Sequence, residues 1–174
     1  HNFIKNALME DIGDGDHSSL ASIPKNITSK AQLLIKDQGI IAGIELAVMI
    51  FGIVDDTLKI TQKLNDGDKV CYGDIAFIVE GNCLSILTAE RLVLNCMQKM
   101  SGIATKTNYL NSLISKTKCK LLDTRKTTPL NRAIEKWAVR IGGGVNHRFG
   151  LYDMIMIKDN HIDFAGGIAQ AISK

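Results

Sequence analysis

The second half of this chain repeats one pattern: a short apolar run, then a cation, then a stretch with helical periodicity. Lys118 to Asp123 reads as a strand that ends directly in Arg125 and Lys126. Thr128-Pro129 then supplies a helix cap with proline at the first helical position, and the helix predicted through Trp137 and Ile141 stops at Gly142, where a glycine C-cap is expected. Met154 to Ile157 is a second apolar strand, closed by Lys158. Strands separated by a helix lie parallel, so this order predicts an α/β protein with a parallel sheet or barrel.

In a βα barrel the C-terminal ends of the strands converge on one mouth, so Arg125, Lys126 and Lys158 are expected to meet there despite their distance in sequence. A third string, Gly142-Gly143-Gly144-Val145-Asn146-His147-Arg148, adds an imidazole and a guanidinium, and His161 follows Lys158 closely. Like charges brought together repel and lose hydration, so the set calls for an anionic ligand or nearby acids. Asp123, Asp153 and Asp159 are the local acids. Guanidinium groups suit carboxylates and phosphates because they donate paired hydrogen bonds, whereas lysine acts as a mobile point charge. Arg125 and Arg148 are therefore candidates to orient a carboxylate, and Lys126 and Lys158 to neutralise phosphate or a developing negative charge. His147 is a hydrogen-bond donor or an acid–base group. Each taken singly has a plainer reading: the glycines as a helix stop and flexible turn, His147 as a structural hydrogen-bonding residue, the cations as solvated surface. Their conjunction favours a site.

The first half has a different organisation. Phe3 to Met9 predicts a short amphipathic helix, and Asp11 to Ser19 a polar loop ending in an Asp or Ser helix cap. The acidic spacing of that loop lacks the closing bidentate Glu of a calcium loop. Strands are predicted at Ser29–Lys36, between Gly39 and Gly43, at Leu58–Lys63 and at Ile75–Glu80, with a helix over Ile44–Val54. Asn65-Asp66-Gly67-Asp68 reads as a tight reversal. Thr88 is expected to cap a long helix with Glu90 in its first turn and Ala89, Val93, Met97 and Met100 as its apolar stripe. Arg91 lies off that stripe, as a surface arginine would. These signals predict two domains, 1–103 and 104–174.

Composition removes several classes of function. A chain of 174 residues that is 45% hydrophobic and 22% charged is globular rather than disordered, and its net charge of +3 is not gathered into a polybasic arm, so nucleic acid is not an expected partner. Cys71, Cys83, Cys96 and Cys119 form no C-x-x-C pair and no metal-ligand spacing with the histidines, which predicts reduced thiols and a cytoplasmic setting. The longest apolar stretch, Gly39 to Val54, is broken by Glu45 and falls short of the ~20 residues of a membrane span. No signal peptide is read, and a chain that opens at His1 leaves an upstream segment open.

At its three strings the sequence resembles the quinolinate phosphoribosyltransferases, also called nicotinate-nucleotide pyrophosphorylases (carboxylating). The family's Asp-Thr-Arg-Lys-Thr, Gly-Gly-Gly-x-Asn-His-Arg and Ile-Lys-x-Asn-His stand at Asp123–Thr127, Gly142–Arg148 and Ile157–His161. Further likeness runs through Glu10–Asp16, Gly39–Gly43, Thr88–Arg91 and Ser101–Thr105. The resemblance implies an N-terminal α/β sandwich domain followed by an α/β barrel, in a homodimer or larger assembly with sites between subunits. It also implies transfer of phosphoribose from phosphoribosyl pyrophosphate to quinolinate with loss of carbon dioxide, giving nicotinate mononucleotide for NAD synthesis, with Mg2+ on the pyrophosphate. Arg125, His147 and Arg148, with Arg91 reaching in from the other subunit, would clamp quinolinate; Thr127 joins the binding set. Lys126 and Lys158 would hold the donor and stabilise the departing pyrophosphate, as the catalytic cations. Once the ring nitrogen is alkylated it accepts the electrons of the breaking carbon–carbon bond, so no general base is assigned.

Two departures stand out. Where the family has Pro-Gly before an apolar residue and Arg, this chain has Pro129-Leu130-Asn131-Arg132. The chain also ends at Lys174, after too few βα units to close a barrel of ~200 residues or more, so a truncated barrel with no metal ligands of its own and incomplete activity is expected. Two rival readings stay open: a Schiff-base aldolase with Lys158 as nucleophile, and a non-catalytic anion-binding barrel fragment.

Overall fold

In a computed structural model describing residues 1–174, the first half forms a layer of helices on one face of an antiparallel sheet. The order is α1 (Asn2–Ile12), α2 (His17–Ser22), β1 (Thr28–Leu34), β2 (Gly39–Ile40), α3 (Ile44–Val54), β3 (Lys59–Gln62), β4 (Lys69–Val70), β5 (Ile75–Asn82) and α4 (Cys83–Leu113). The main sheet runs β1-β5-β3, both pairs antiparallel, and β2 pairs with β4 in a separate two-stranded ribbon. The central strand β5 buries Ala76, Phe77 and Val79, while β1 and β3 are edges with mostly exposed side chains. The same core takes in Ile44, Ala47, Ile50 and Phe51 of α3 and Val93, Met97 and Met100 of α4, with the Phe51 and Phe77 rings edge-on at 6.0 Å. At ~25 cal/mol per Å2 of apolar surface removed from water, this one contiguous core is the dominant stabilising term.

Local chemistry explains most boundaries. Asp16 caps α2 by accepting from Ser19 N at 3.0 Å. α3 begins at Gly43, which has no side chain to cap with; Asp66 does it from a distance, accepting from Ile44 N at 2.9 Å and Glu45 N at 3.2 Å. The Asn65–Asp68 reversal, with Gly67 at φ +98°, therefore serves a helix as well as the strands around it.

The long helix departs from expectation at its start. Asn82, not Thr88, is its cap, accepting from Leu84 N at 2.9 Å and Ser85 N at 3.3 Å. Thr88, Glu90 and Arg91 therefore sit inside α4, past the first turn. The five residues before Thr88 include Leu84 and Ile86, which continue the apolar face, so the helix has no reason to wait for threonine. α4 continues unbroken through Ile103 and Ala104.

The second half contributes α5 (Arg132–Ile141), α6 (Asp159–Ala165) and α7 (Ile168–Ser173). One parallel step is formed: Leu122 bridges Val145 across α5, with Asp123 N to Val145 O at 3.1 Å and Val145 N to Leu121 O at 2.9 Å. The predicted strand–helix–strand order is thus present, but its second strand is the stretch around Val145. Met154–Ile157 forms no strand: no neighbouring strand offers its backbone a ladder, and Ile155 is 91% exposed. No helix is long and apolar enough to cross a membrane.

Candidate active site

α5 is seated by close packing. Ile134 and Ala138 bury against the core, and Gly142 follows where the chain lies close against α4. A Cβ on Gly142 would lie 2.7 Å from Thr107 Cβ and 2.9 Å from Ala104 Cα. Gly142 itself has φ −73°, and the left-handed residue is Gly143, at φ +89°. The triple glycine is therefore more than a helix stop: one member permits helix contact and the next reverses the chain, held by Asn111 Nδ2 donating to Gly143 O at 2.8 Å.

Beyond that turn, the first two strings are brought together around Asp123. Its carboxylate pairs with the buried Lys136 ammonium and accepts from His147 N at 2.8 Å. With its amide nitrogen turned toward its acceptors, Asn146 donates to Asp123 Oδ2 and to Lys136 O, both at 2.9 Å. Lys136 Nζ also donates to His147 O at 3.0 Å. Asp123 was a candidate to compensate the cation cluster; instead Lys136 and backbone groups consume its charge. Asp153 is similarly occupied. It accepts from Phe149 N at 2.6 Å and Gly150 N at 2.7 Å, and these bonds hold its carboxyl below the usual range.

The candidate anion ligands are left without acids. Arg148 is 7% exposed, has no carboxylate within salt-bridge distance, and donates only to Met154 O, at 3.3 Å. Arg125 is half-buried, and its Nε is enclosed with no acceptor. Buried guanidinium nitrogens are seldom left so, because each unmade bond costs ~1–3 kcal/mol or more. Lys126 is exposed beside Arg125, its backbone N–H bonded to Thr124 Oγ1 at 3.0 Å. The side chain of His147 makes no hydrogen bond and is half-exposed. Thr127 Oγ1 accepts from Arg132 Nε at 3.1 Å, while Arg132 Nη1 donates to Phe149 O at 3.0 Å and the guanidinium lies 5.9 Å from the Phe149 ring.

Lys158 and Arg91 are the remaining expected members. Lys158 is exposed at the N-cap of α6, its N–H donating to His161 Nδ1 at 3.0 Å. Arg91 is exposed on α4 and pairs with no acid. Eight residues on, Lys99 meets Glu135 at 3.0 Å and Thr128 Oγ1 at 3.0 Å, so Arg91 lies ~12 Å along the helix axis from that contact.

Thr128-Pro129 does not cap α5. Thr128 O accepts from Asn131 N at 3.1 Å in a turn, and the helix starts three residues past the proline, at Arg132. Leu130 occupies the left-handed region at φ +64° and is 95% exposed.

Sequence reasoning missed Lys136, Arg132, Lys99 and Glu135, which orient the strings without joining the ligand set. Lys136 carried no signal, since it stands ~200° around the helix from Ile134 and reads as a surface lysine. A cavity of about 790 Å3 lies elsewhere, between Leu33–Ile41 and α4, with a largely apolar lining. It contains none of the cation strings, so charge rather than concavity marks the site. No three His, Cys, Asp or Glu side chains gather to hold a metal ion.

Residues 16–101 match the family described as quinolinate phosphoribosyl transferase, N-terminal domain, and residues 103–174 match its C-terminal domain. The chain is 52% identical over 171 residues to quinolinate phosphoribosyltransferase [decarboxylating] 1b of Nicotiana tabacum, covering 98% of this chain and 48% of that one. It is 51% identical to nicotinate-nucleotide pyrophosphorylase [carboxylating], chloroplastic, of Arabidopsis thaliana, over 97% of this chain and 48% of the relative. The crystal structure of NadC from Streptococcus pyogenes superposes with a TM-score of 0.93 at 39% identity, covering 99% of this chain and 61% of that structure. The chain thus spans about half the length of the plant relatives it matches.

Proposed function

The chain belongs to the quinolinate phosphoribosyltransferase family, and on that premise we propose that it carries the quinolinate-binding part of an enzyme that joins quinolinate to phosphoribosyl pyrophosphate, releasing carbon dioxide and pyrophosphate. The observation that carries the proposal is that the chain supplies no carboxylate to the buried Arg148 or to Arg125, whose Nε is enclosed without an acceptor. Quinolinate brings two adjacent carboxylates, one for each fork.

In this reading Arg125, Arg148 and the free imidazole of His147 orient the pyridine ring so that its nitrogen faces the ribose carbon. Thr127, its hydroxyl fixed by Arg132, lines the same site. Lys126 and Lys158 are the cations for the phosphoribosyl donor and the departing pyrophosphate, acting by electrostatic stabilisation. Both are exposed, as cations that meet a ligand from solvent would be. Arg91, exposed and without an acid partner, serves a second subunit's site in a homodimer. Magnesium would arrive with the pyrophosphate; the side chains present do not make a site for it, so no step is assigned through it. The four free thiols support a reducing compartment, for which we propose the cytoplasm, although the Arabidopsis relative is named chloroplastic. The aldolase alternative gains nothing from Lys158, which is solvated rather than desolvated for amine attack.

Calorimetric titration tests the binding claim. Quinolinate should bind at least tenfold more tightly than nicotinate, which has one carboxylate, and Arg125→Ala or Arg148→Ala should remove the difference, each guanidinium–carboxylate contact contributing roughly 1.5–3 kcal/mol. Equal affinity for the two acids would contradict the assignment. Quinolinate bound without turnover in the intact enzyme supplied with donor and magnesium would favour a non-catalytic anion-binding protein.

A further inference from the structure

We infer that Lys136 is a positioning residue for the anion site: its buried ammonium, paired with Asp123, sets the spacing between the two guanidinium-bearing strings. The inference rests on the quinolinate-binding reading above. Lys136 is 2% exposed although it lies on the side of α5 turned away from Ile134 and Ala138. A lysine there would ordinarily extend its ammonium into water. Here it is drawn inward, and its partners come from two further segments: Asp123 at the end of the first strand and His147 on the glycine-rich string.

The arrangement closes on one peptide from both sides. His147 N donates to Asp123 Oδ1 at 2.8 Å, and His147 O accepts from Lys136 Nζ at 3.0 Å. Asn146 adds a bond to the second Asp123 oxygen at 2.9 Å. Arg125 follows Asp123 by two residues and Arg148 follows His147 by one. Fixing Asp123 against His147 therefore fixes the backbone origins of both guanidiniums. The pair also neutralises Asp123 internally, so this carboxylate does not quench the arginines and their field remains for a ligand. Apolar side chains of similar size could fill the space at equal or lower cost, so the ionic pair is best explained by the register it enforces.

The intact enzyme carrying Lys136→Met, Asp123→Asn, or both, tests this by quinolinate titration on folded protein, with melting temperature followed in parallel. Positioning predicts that each single change weakens quinolinate binding roughly tenfold or more. The double change should weaken it no further than the worse single one, as coupled residues do. Variants that melt earlier but bind quinolinate as the wild type does would show a merely structural pair and overturn the inference. Should Lys136→Met fail to fold, Asp123→Asn and Lys136→Arg decide by the same criterion. If the wild type itself binds no quinolinate, the functional reading fails; if only the variants' affinities are unchanged, the positioning role alone fails.

Discussion

Lys99 of α4 reaches Glu135 of α5 at 3.0 Å, and the same carboxylate accepts from Thr128 N at 3.2 Å, tying the long helix to the string that bears Arg125 and Lys126. Burial alone would raise the Glu135 carboxyl, but hydrogen bonding from Thr128 and the ion pair with Lys99 outweigh it and hold the group below its ordinary value of 4.5. A carboxyl depressed on folding stabilises above its unfolded value and loses that contribution as pH falls through the folded one. Stability curves of wild type and Glu135→Gln should therefore be separated at neutral pH and converge below pH 4.5. Curves that stay parallel into acid would contradict the pairing.

Leu130 should yield stability when replaced by glycine. Its φ of +64° lies in the left-handed region, and its side chain is 95% exposed, so little packing offsets the strain. The left-handed conformation costs a non-glycine residue ~1–2 kcal/mol, less the ~0.4–1 kcal/mol by which glycine loosens the unfolded chain. Leu130→Gly should stabilise the fold by about 0.8 kcal/mol at the middle of those ranges, read as a higher denaturant midpoint, and an unchanged or lower midpoint would contradict the strain. It also restores the Pro-Gly pair of the family pattern.

Gly142→Ala should do the reverse. The added Cβ would fall 2.7 Å from Thr107 Cβ, forcing α5 away from α4. Overpacking of this kind costs ~1–3 kcal/mol, visible as a lower denaturant midpoint at unchanged slope. An unchanged midpoint would mean that the helices are not held at this separation.

Arg91 has a test of its own. Mixed dimers of the intact enzyme that combine Arg91→Ala with Lys158→Ala subunits should recover activity beyond either parent, because one site in each such dimer keeps both residues. Verified mixed dimers with no recovery would remove Arg91 from the partner's site.

Much of this molecule was legible in its sequence. α3 begins and ends where the apolar run Ile44–Val54 does, and Asp16 caps α2 as a short acceptor before a helix should. What stayed hidden depended on partners distant in sequence. Asn82 lies between the predicted strand Ile75–Glu80 and the expected cap Thr88, yet it caps α4; Asp66 reads as a turn residue, yet it caps α3. The fate of Asp123 was unreadable because its partner Lys136 follows surface periodicity. Met154–Ile157 erred in the other direction: apolar composition marks a segment able to pair, but pairing needs a neighbouring strand, and none lies beside it here.

The central claim is that the acid-free cations centred on Arg125 and Arg148 receive quinolinate for phosphoribosyl transfer. The most direct measurement is carbon dioxide released from carboxyl-labelled quinolinate by the intact enzyme, supplied with phosphoribosyl pyrophosphate and magnesium, beside pyrophosphate formed in the same samples. The account predicts equal amounts of both products, neither without the donor, and loss of both on Arg148→Ala. Full release of both products by a folded Arg148→Ala enzyme, or no release by the wild type, would contradict it.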